Sequence, residues 1–289
     1  MSTNKNPEED ILQFLPSNTS RYPYEGLQDF WSHIALEQEN FHNNKTGKCS
    51  QYVLFTNVTD QAFTRDFDIS KHKPSWRLFD FYYPYTQLLV IRMVTSKDHE
   101  RTHTALANLL IGKLAAMNET NLSLDWTGSA DIETPSRTKR ADQEFAPRNR
   151  PPDRSELWPT LVMDAGFSES KPKLESDADW WIKASQGDVR TALTISVHRK
   201  TPEIVIEKWE PICTLQNSTR AQFEPILRKH LVVSNQKGQT EAVVISGPLV
   251  LSFRDLFLRD AGRGEKEEIE FSDTDIRTMA QMVWEKQKF

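Results

Sequence analysis

Short apolar runs alternate with capping and turn residues through the middle of the chain. The run Gln87–Met93 is short and rich in branched apolar side chains, which predicts a buried strand. Thr95 is then followed three residues later by Asp98, a capping-box pattern that predicts the start of a helix of about 20 residues. The apolar positions of this helix recur at helical spacing: Leu106, Leu109, Leu110, Leu114 and Met117.

A second helix and five more strands follow. The helix has Pro172 in its first turn, where a missing N–H costs nothing, and it ends at Gly187. Runs of branched and apolar residues predict the strands at Leu122–Trp126, Ala141–Phe145, Thr160–Asp164, Val189–Val197 and Glu203–Trp209. The resulting order of helix, three strands, helix and two strands predicts an α/β fold in which helices flank a mixed sheet.

The pattern weakens toward both ends, so we predict three parts. Residues 1–75 form an N-terminal extension, partly irregular, with a short helix at Leu27–Glu39. Residues 76–210 form the core, and residues 211–289 form C-terminal elements packed on it, with a last helix that begins at Ser272.

Charge is distributed unevenly along the 289 residues. The chain has 36 Lys and Arg against 41 Asp and Glu, so it lacks the overall basic field of a dedicated nucleic-acid binder. One stretch is nevertheless basic, with Arg137, Lys139, Arg140, Arg148, Arg150 and Arg154. Two interpretations stay open: a solvated loop, or a rim around residue 142 that attracts phosphate.

The remaining composition narrows the class of protein. The two cysteines, Cys49 and Cys213, form neither a disulfide framework nor a metal-binding spacing. The first ten residues are polar, and no apolar run approaches the length of about 20 residues that a membrane span needs. We therefore expect an intracellular protein, in the cytoplasm or the nucleus, without a membrane partner.

Two acids stand where neighbouring strands could bring them together. Asp142 lies in one predicted strand and Asp164 at the end of the next. Hydrolysis of a phosphodiester by this chemistry needs a divalent metal ion such as Mg²⁺, which one or two carboxylates can hold. A nearby lysine can stabilise the charge that develops during the reaction. Asp is also common at strand exits for turn and cap reasons, so the residues alone leave both roles open.

Several motifs together resemble one family. The segments 158–170 and 187–189, with the strand that follows, look like a group of uncharacterised fungal proteins that carry a restriction-endonuclease-like fold of the PD-(D/E)XK nuclease superfamily. They are also similar to bacterial proteins assigned as restriction endonucleases. The resemblance covers roughly residues 76–280, and its other motifs are Ala141–Pro147, Asp177–Trp181, Glu207–Trp209 and Gly247–Leu251.

The resemblance implies a site and a function. Asp142 matches the metal-binding Asp of the superfamily, Asp164 matches the acid of its (D/E)-x-K element, and Glu100 is the candidate for an extra helical acid. These residues would bind Mg²⁺ in a nuclease that acts on DNA or RNA. Gly166 stands where the family has Lys, which implies a lysine moved to the next helix. That helix offers Lys171, Lys173 and Lys183, with Asp179 at the most expected position, and we assign the role to Lys173.

The missing lysine also supports a second interpretation. A degenerate nuclease fold would bind a protein or a nucleic acid without cutting it, since a fold does not determine a function.

Overall fold

The computed structural model describes most of the chain: residues 13–43, 49–67, 74–93, 97–128, 131–214, 221–235, 241–287 and 289. Fifteen strands are numbered in chain order: β1 Ser20–Pro23, β2 Tyr52–Thr56, β3 Phe79–Tyr83, β4 Leu88–Arg92, β5 Leu124–Gly128, β6 Asp131–Glu133, β7 Thr138–Arg140, β8 Gln143–Pro147, β9 Leu161–Phe167, β10 Thr191–Val197, β11 Glu203–Thr214, β12 Gln222–Ser234, β13 Val243–Ile245, β14 Leu249–Ser252 and β15 Glu268–Phe271. Six helices are numbered likewise: α1 Leu27–Asn43, α2 Asp60–Phe67, α3 Lys97–Ala115, α4 Lys171–Ala184, α5 Phe253–Phe257 and α6 Asp273–Gln287.

The strands and helices divide between two compact units. The first unit comprises Met1–Thr95 with Asp131–Arg140, and the second comprises Ser96–Ala130 with Ala141–Phe289. The sequence predicts boundaries at residues 76 and 211, whereas the two units meet along the chain after residues 95, 130 and 140. The predicted domain organisation stays a prediction.

The first unit is built on a six-stranded sheet in the order β1-β2-β4-β3-β7-β6. Strands β2 and β4 are almost continuous apolar runs, because both of their faces are buried. Helix α1 buries one stripe, in which Phe30 and Ile34 stand one turn apart. The Phe30 ring lies 4.9 Å from that of Phe55 in β2 and 5.2 Å from that of Phe67 in α2, so aromatic contacts join both helices to the sheet.

The second unit is built on a seven-stranded sheet in the order β13-β12-β11-β10-β9-β8-β5. The pair β9 and β10 is parallel and every other pair of this sheet is antiparallel. A parallel pair needs a crossover connection, and α4 supplies it between β9 and β10. The mixed sheet flanked by helices that the pattern predicts is confirmed.

Helices α3 and α4 cover opposite faces of this second sheet. Gln143 in β8 contacts His103 of α3, and its cross-strand partner Met163 shares that face. The next residue of β9, Asp164, must point the other way, and its carboxylate contacts Trp181 of α4.

The last helix begins as the sequence predicts. The Ser272 Oγ accepts from the Asp275 N–H at 3.3 Å, and the Asp275 carboxylate accepts from the Ser272 N–H at 2.8 Å, so the capping box of α6 is reciprocal. The cap predicted for α3 at Thr95 lies outside the described residues. Among the helices that the structure describes, none is long and apolar enough to pass through a bilayer.

Candidate functional site

The predicted acids Asp142 and Asp164 lie side by side, and each carboxylate accepts a backbone N–H from the neighbouring segment. The Asp142 N–H donates to Asp164 Oδ1 at 3.3 Å, and the N–H of Ala165 donates to Asp142 Oδ2 at 2.8 Å. Asp142 lies one residue before β8, and Asp164 lies in the middle of β9 rather than at its end as predicted, because β9 continues to Phe167. Both acids are buried, with 8% and 4% of their surface exposed.

Helix α4 places three polar side chains on the face that meets the sheet. Lys173, Asp177 and Trp181 are spaced four residues apart and therefore share one face of the helix, and all three are buried. The Trp181 indole N–H donates to Asp164 Oδ2 at 2.8 Å. Asp177 lies one helical turn before Trp181, and Lys173 lies two turns before it. Lys173 Nζ is 2.5 Å from the Asp177 carboxylate, and the two form a buried ion pair.

A row of polar side chains crosses four strands on the same face as Asp164. The register pairs Asp164 of β9 with Thr194 of β10, Thr194 with Glu207 of β11, and Glu207 with His230 of β12. Cross-strand partners share one face of a sheet, so these side chains form a continuous line. Thr194 Oγ1 donates to Glu207 at 3.4 Å, and Nδ1 of His230 donates to Glu207 Oε1 at 2.9 Å.

The row runs from the interior to solvent. Glu207 is only 3% exposed, whereas the His230 side chain is 47% exposed. Lys171, the first residue of α4, lies beside them with its Nζ 3.0 Å from the same carboxylate. The hydrogen bond to Glu207 raises the pKa of Lys171 above its ordinary value, against the opposing effect of partial burial. The buried carboxylate of Glu207 thus contacts two side chains that reach the surface, those of Lys171 and His230.

The concentration of buried charge is the unusual property of this interface. Asp142, Asp164, Asp177 and Glu207 are all buried between the sheet and α4, together with Lys173. Acidic side chains are seldom buried completely, and burying an ion pair stabilises a fold less than apolar packing does. This cluster is therefore the candidate functional site of the second unit.

The pair Asp142 and Asp164 has the ligand chemistry of a hard cation. Mg²⁺ takes carboxylate oxygens and completes its shell with water or phosphate, so two acids suffice. The Asp142 N–H and the Trp181 N–H donate to Asp164, and the Ala165 N–H donates to Asp142 Oδ2, so backbone and indole groups orient both carboxylates. No group of three or more His, Cys, Asp or Glu side chains that could hold a metal occurs within the part of the chain that the structure describes.

The third predicted ligand, Glu100, lies in the first turn of α3. Its side chain lies outside what the structure describes, and its role stays a prediction.

The three lysines considered on α4 occupy different places. Lys173 faces the sheet in the ion pair with Asp177, and Lys171 contacts Glu207. Lys183 is 44% exposed and pairs with Asp179 at 2.7 Å and with Glu224 at 2.9 Å. Position 179, where a migrated lysine was most expected, therefore belongs to a surface ion-pair network.

The basic stretch 137–154 is not the continuous rim or solvated loop that its sequence suggests. Lys139 and Arg140 belong to strand β7, which pairs with β3 and β6, and Arg137 directly precedes it; all three side chains are buried. Arg137 lies over the Phe81 ring, 4.2 Å from its centroid. Burial lowers the pKa of Arg140 below its ordinary value, and the neighbouring Asp131 opposes that effect.

Sequence reasoning missed Thr194, Glu207 and His230 as members of the site. The available signal was a polar or charged residue inside a strand predicted to be buried. Thr194 stands between Leu193 and Ile195, and all three are buried.

Comparisons with known sequences give no family for this chain: no protein-family model matches it, and no curated protein matches it. Among solved structures that are similar is a crystal structure of a putative nuclease belonging to DUF820 from Anabaena variabilis. The alignment covers 74% of this chain and 98% of that one, at 8% identity and a TM-score of 0.39, so this likeness carries no part of the argument below.

Proposed function

We propose that this protein is a metal-dependent phosphodiester hydrolase of the nuclease type, with its centre at Asp142 and Asp164. The observation that carries the proposal is a pair of hydrogen bonds, from the Asp142 N–H to Asp164 and from the Ala165 N–H to Asp142, which holds the two carboxylates together on neighbouring segments of the sheet. The family resemblance of the motifs around both residues supports the same assignment.

Each residue of the site has a distinct task in this proposal. Asp142 and Asp164 would hold Mg²⁺, which stabilises negative charge on a phosphoryl oxygen and lowers the pKa of an attacking water. The Trp181 N–H and the Ala165 N–H fix the orientation of the two carboxylates, so little reorganisation is needed when the substrate arrives. Lys173, oriented by Asp177, provides the positive charge that the absent (D/E)-x-K lysine would otherwise supply.

Calorimetric titration tests the metal site first. Mg²⁺ and Mn²⁺ are titrated into the wild type and into Asp142→Asn, which keeps the shape of the side chain and an acceptor for the Ala165 N–H. Asp179→Asn is the matched control, because Asp179 is a partly exposed acid on α4, away from the carboxylate pair, whose ion pair among the described residues is with Lys183. We expect binding in the wild type and the control and its loss in Asp142→Asn, with the fold of each checked by circular dichroism.

The activity is then measured on labelled single-stranded and double-stranded DNA and on RNA, with and without Mg²⁺. Cleavage that requires Mg²⁺ and is lost in Asp142→Asn supports the proposal. A wild type that binds neither metal, or an Asp142→Asn variant that cleaves like the wild type, refutes it.

A second function has its own observation in favour. Lys173 is 2% exposed and bound to Asp177, and Asp164 accepts hydrogen bonds at both oxygens, so the cluster also suits a fold that binds without cutting. If the protein binds nucleic acid, its affinity should fall steeply as the salt concentration rises, because binding releases counterions. An affinity that does not change with salt would favour a protein partner.

A further inference from the structure

A separate cavity of 390 Å³ lies within the second unit and is lined largely by charged residues. It is next to the point where β9 and β10 begin, since the N–H of Arg190, in its lining, donates to the Thr160 carbonyl at 2.9 Å. Asp164 is four residues further along the chain from Thr160, roughly 13 Å at the usual rise of a strand. The cavity is therefore distinct from the carboxylate pair.

Arg154 forms the floor of this cavity, and its side chain is only 5% exposed. It donates to the carboxylate and the carbonyl of Asp188, and to the Pro159 carbonyl at 3.4 Å. Its Nε is buried and has no hydrogen-bond partner among the described residues. A guanidinium N–H buried in this way is costly unless a ligand accepts from it.

Two more guanidinium groups lie near enough to Arg154 to affect its pKa, and neither has an ion pair among the described residues. Arg150 donates to the carbonyls of Ser155 and Glu156. Arg190 is in the cavity lining, and within the described part of the chain no acid pairs with its side chain. Burial lowers the pKa of Arg154, the Asp188 charge opposes this, and the charges of Arg190 and Arg150 lower it further. Of the three arginines, Arg154 alone is paired with a carboxylate in the described structure, that of Asp188.

The lining as a whole is balanced in number, because Asp153, Asp188 and Asp255 stand beside Arg154, Arg190 and Arg254. The pairing within it is uneven, however. Among the described residues Asp153 and Asp255 form no ion pair with these arginines, and Arg254 pairs with Asp260 at 3.3 Å, outside the lining.

We propose that this cavity binds a phosphate group through Arg154 and Arg190. Guanidinium groups present paired N–H donors that match phosphate oxygens, and they are the preferred partners of phosphate where geometry is fixed. The volume is in the range of small-molecule sites, so the phosphate can belong to a mononucleotide, and a phosphate of a nucleic-acid chain could enter in the same way. The proposal does not depend on the hydrolase centre.

Titration without divalent metal tests the cavity alone. Inorganic phosphate and adenosine 5′-monophosphate are titrated, in the presence of a chelator, into the wild type, Arg190→Gln and Arg148→Gln. Arg148 belongs to the same basic stretch but is 59% exposed, pairs with Asp125 and is absent from the cavity lining, so it is the matched control. We expect the affinity of Arg190→Gln to fall about tenfold or more, because a charge-assisted contact is lost, with Arg148→Gln unchanged.

The source of the phosphate is distinguished with two further probes. Adenosine tests whether binding needs the phosphate, and an oligothymidylate without terminal phosphates tests a chain phosphate. Loss of oligothymidylate binding in Arg190→Gln assigns the cavity to nucleic acid, whereas binding of adenosine 5′-monophosphate alone assigns it to a nucleotide. Failure of the wild type to bind any phosphate probe, or equal binding by Arg190→Gln, overturns the proposal.

Discussion

The indole N–H of Trp181 donates to the carboxylate of Asp164 at 2.8 Å, and it ties helix α4 to the centre of the second sheet. Trp181 is completely buried, so this bond cannot be replaced by water. This contact therefore helps to position both the candidate acid and the helix that carries Lys173.

Trp181→Phe should reduce the free energy of unfolding by more than the loss of packing alone. The Asp164 oxygen would lose a buried donor, which costs about 1–3 kcal/mol. Trp284→Phe is the matched control, because Trp284 is also buried but its Nε1 has no hydrogen-bond partner among the described residues. Urea denaturation of both variants measures the difference, and equal losses would show that the Trp181 hydrogen bond contributes nothing.

Lys173→Met should destabilise the protein strongly. It leaves the Asp177 carboxylate buried without the ammonium group that lies 2.5 Å away, and breaking a buried pair in this way costs about 3–5 kcal/mol. The double variant Lys173→Met with Asp177→Leu removes both charges and should recover part of that loss. Chemical denaturation of the single and double variants checks this, and strictly additive losses would contradict the coupling.

Glu265 should make stability depend on acid pH. Its carboxylate binds both Nη atoms of Arg259 at 2.6 Å, and these bonds, with the Gly262 N–H, lower its pKa to about 2. Since the folded pKa is below the ordinary value, this stabilisation is present above about pH 4.5 and is lost as the pH falls toward about 2.

The measurement compares the wild type with Glu265→Gln across that range. At neutral pH the variant should be less stable by about 1 kcal/mol, a modest value because Arg259 is largely exposed. The difference should shrink as the pH falls from about 4.5 toward 2. A difference that stays constant with pH would assign the effect to shape and not to charge.

Gly187 follows the C-terminal end of α4, and its backbone has a conformation that only glycine adopts easily. Its φ is +78°, and an added Cβ would lie 2.5 Å from the Phe223 ring. Gly187→Ala should therefore cost about 1–3 kcal/mol from strain and displacement of that ring. Gly112→Ala, at a helical position with open space around it, should instead stabilise α3 by about 0.5–1 kcal/mol. Thermal denaturation of both variants tests the contrast, and a neutral Gly187→Ala would contradict it.

Local patterns predicted much of the second unit. Consecutive strands usually pair, so placing Asp142 and Asp164 on successive strands was enough to predict that they are neighbours. The helix with Pro172 and Gly187 near its ends was predicted for the same reason, because its start and stop signals are local.

The missed features depend on pairings between distant parts of the chain. Glu207 and His230 join the site only through the register of β10, β11 and β12, which no single segment encodes. Lys139 and Arg140 are typical of a loop by charge alone, whereas they lie in β7, which joins a sheet begun much earlier in the chain. Asp179, which the sequence already has where a migrated lysine is most expected, pairs with Lys183 at the surface.

The placement of β6 and β7 has a consequence for synthesis on the ribosome. These strands lie between β5 and β8 in the chain, yet they complete the sheet of the first unit. That sheet cannot reach six strands until residue 140 has emerged, by which time α3 and β5 of the second unit have already been translated. The first unit therefore cannot complete its sheet before translation of the second unit has begun. Truncation after residue 95 would leave β3 with an unpaired edge, which favours aggregation.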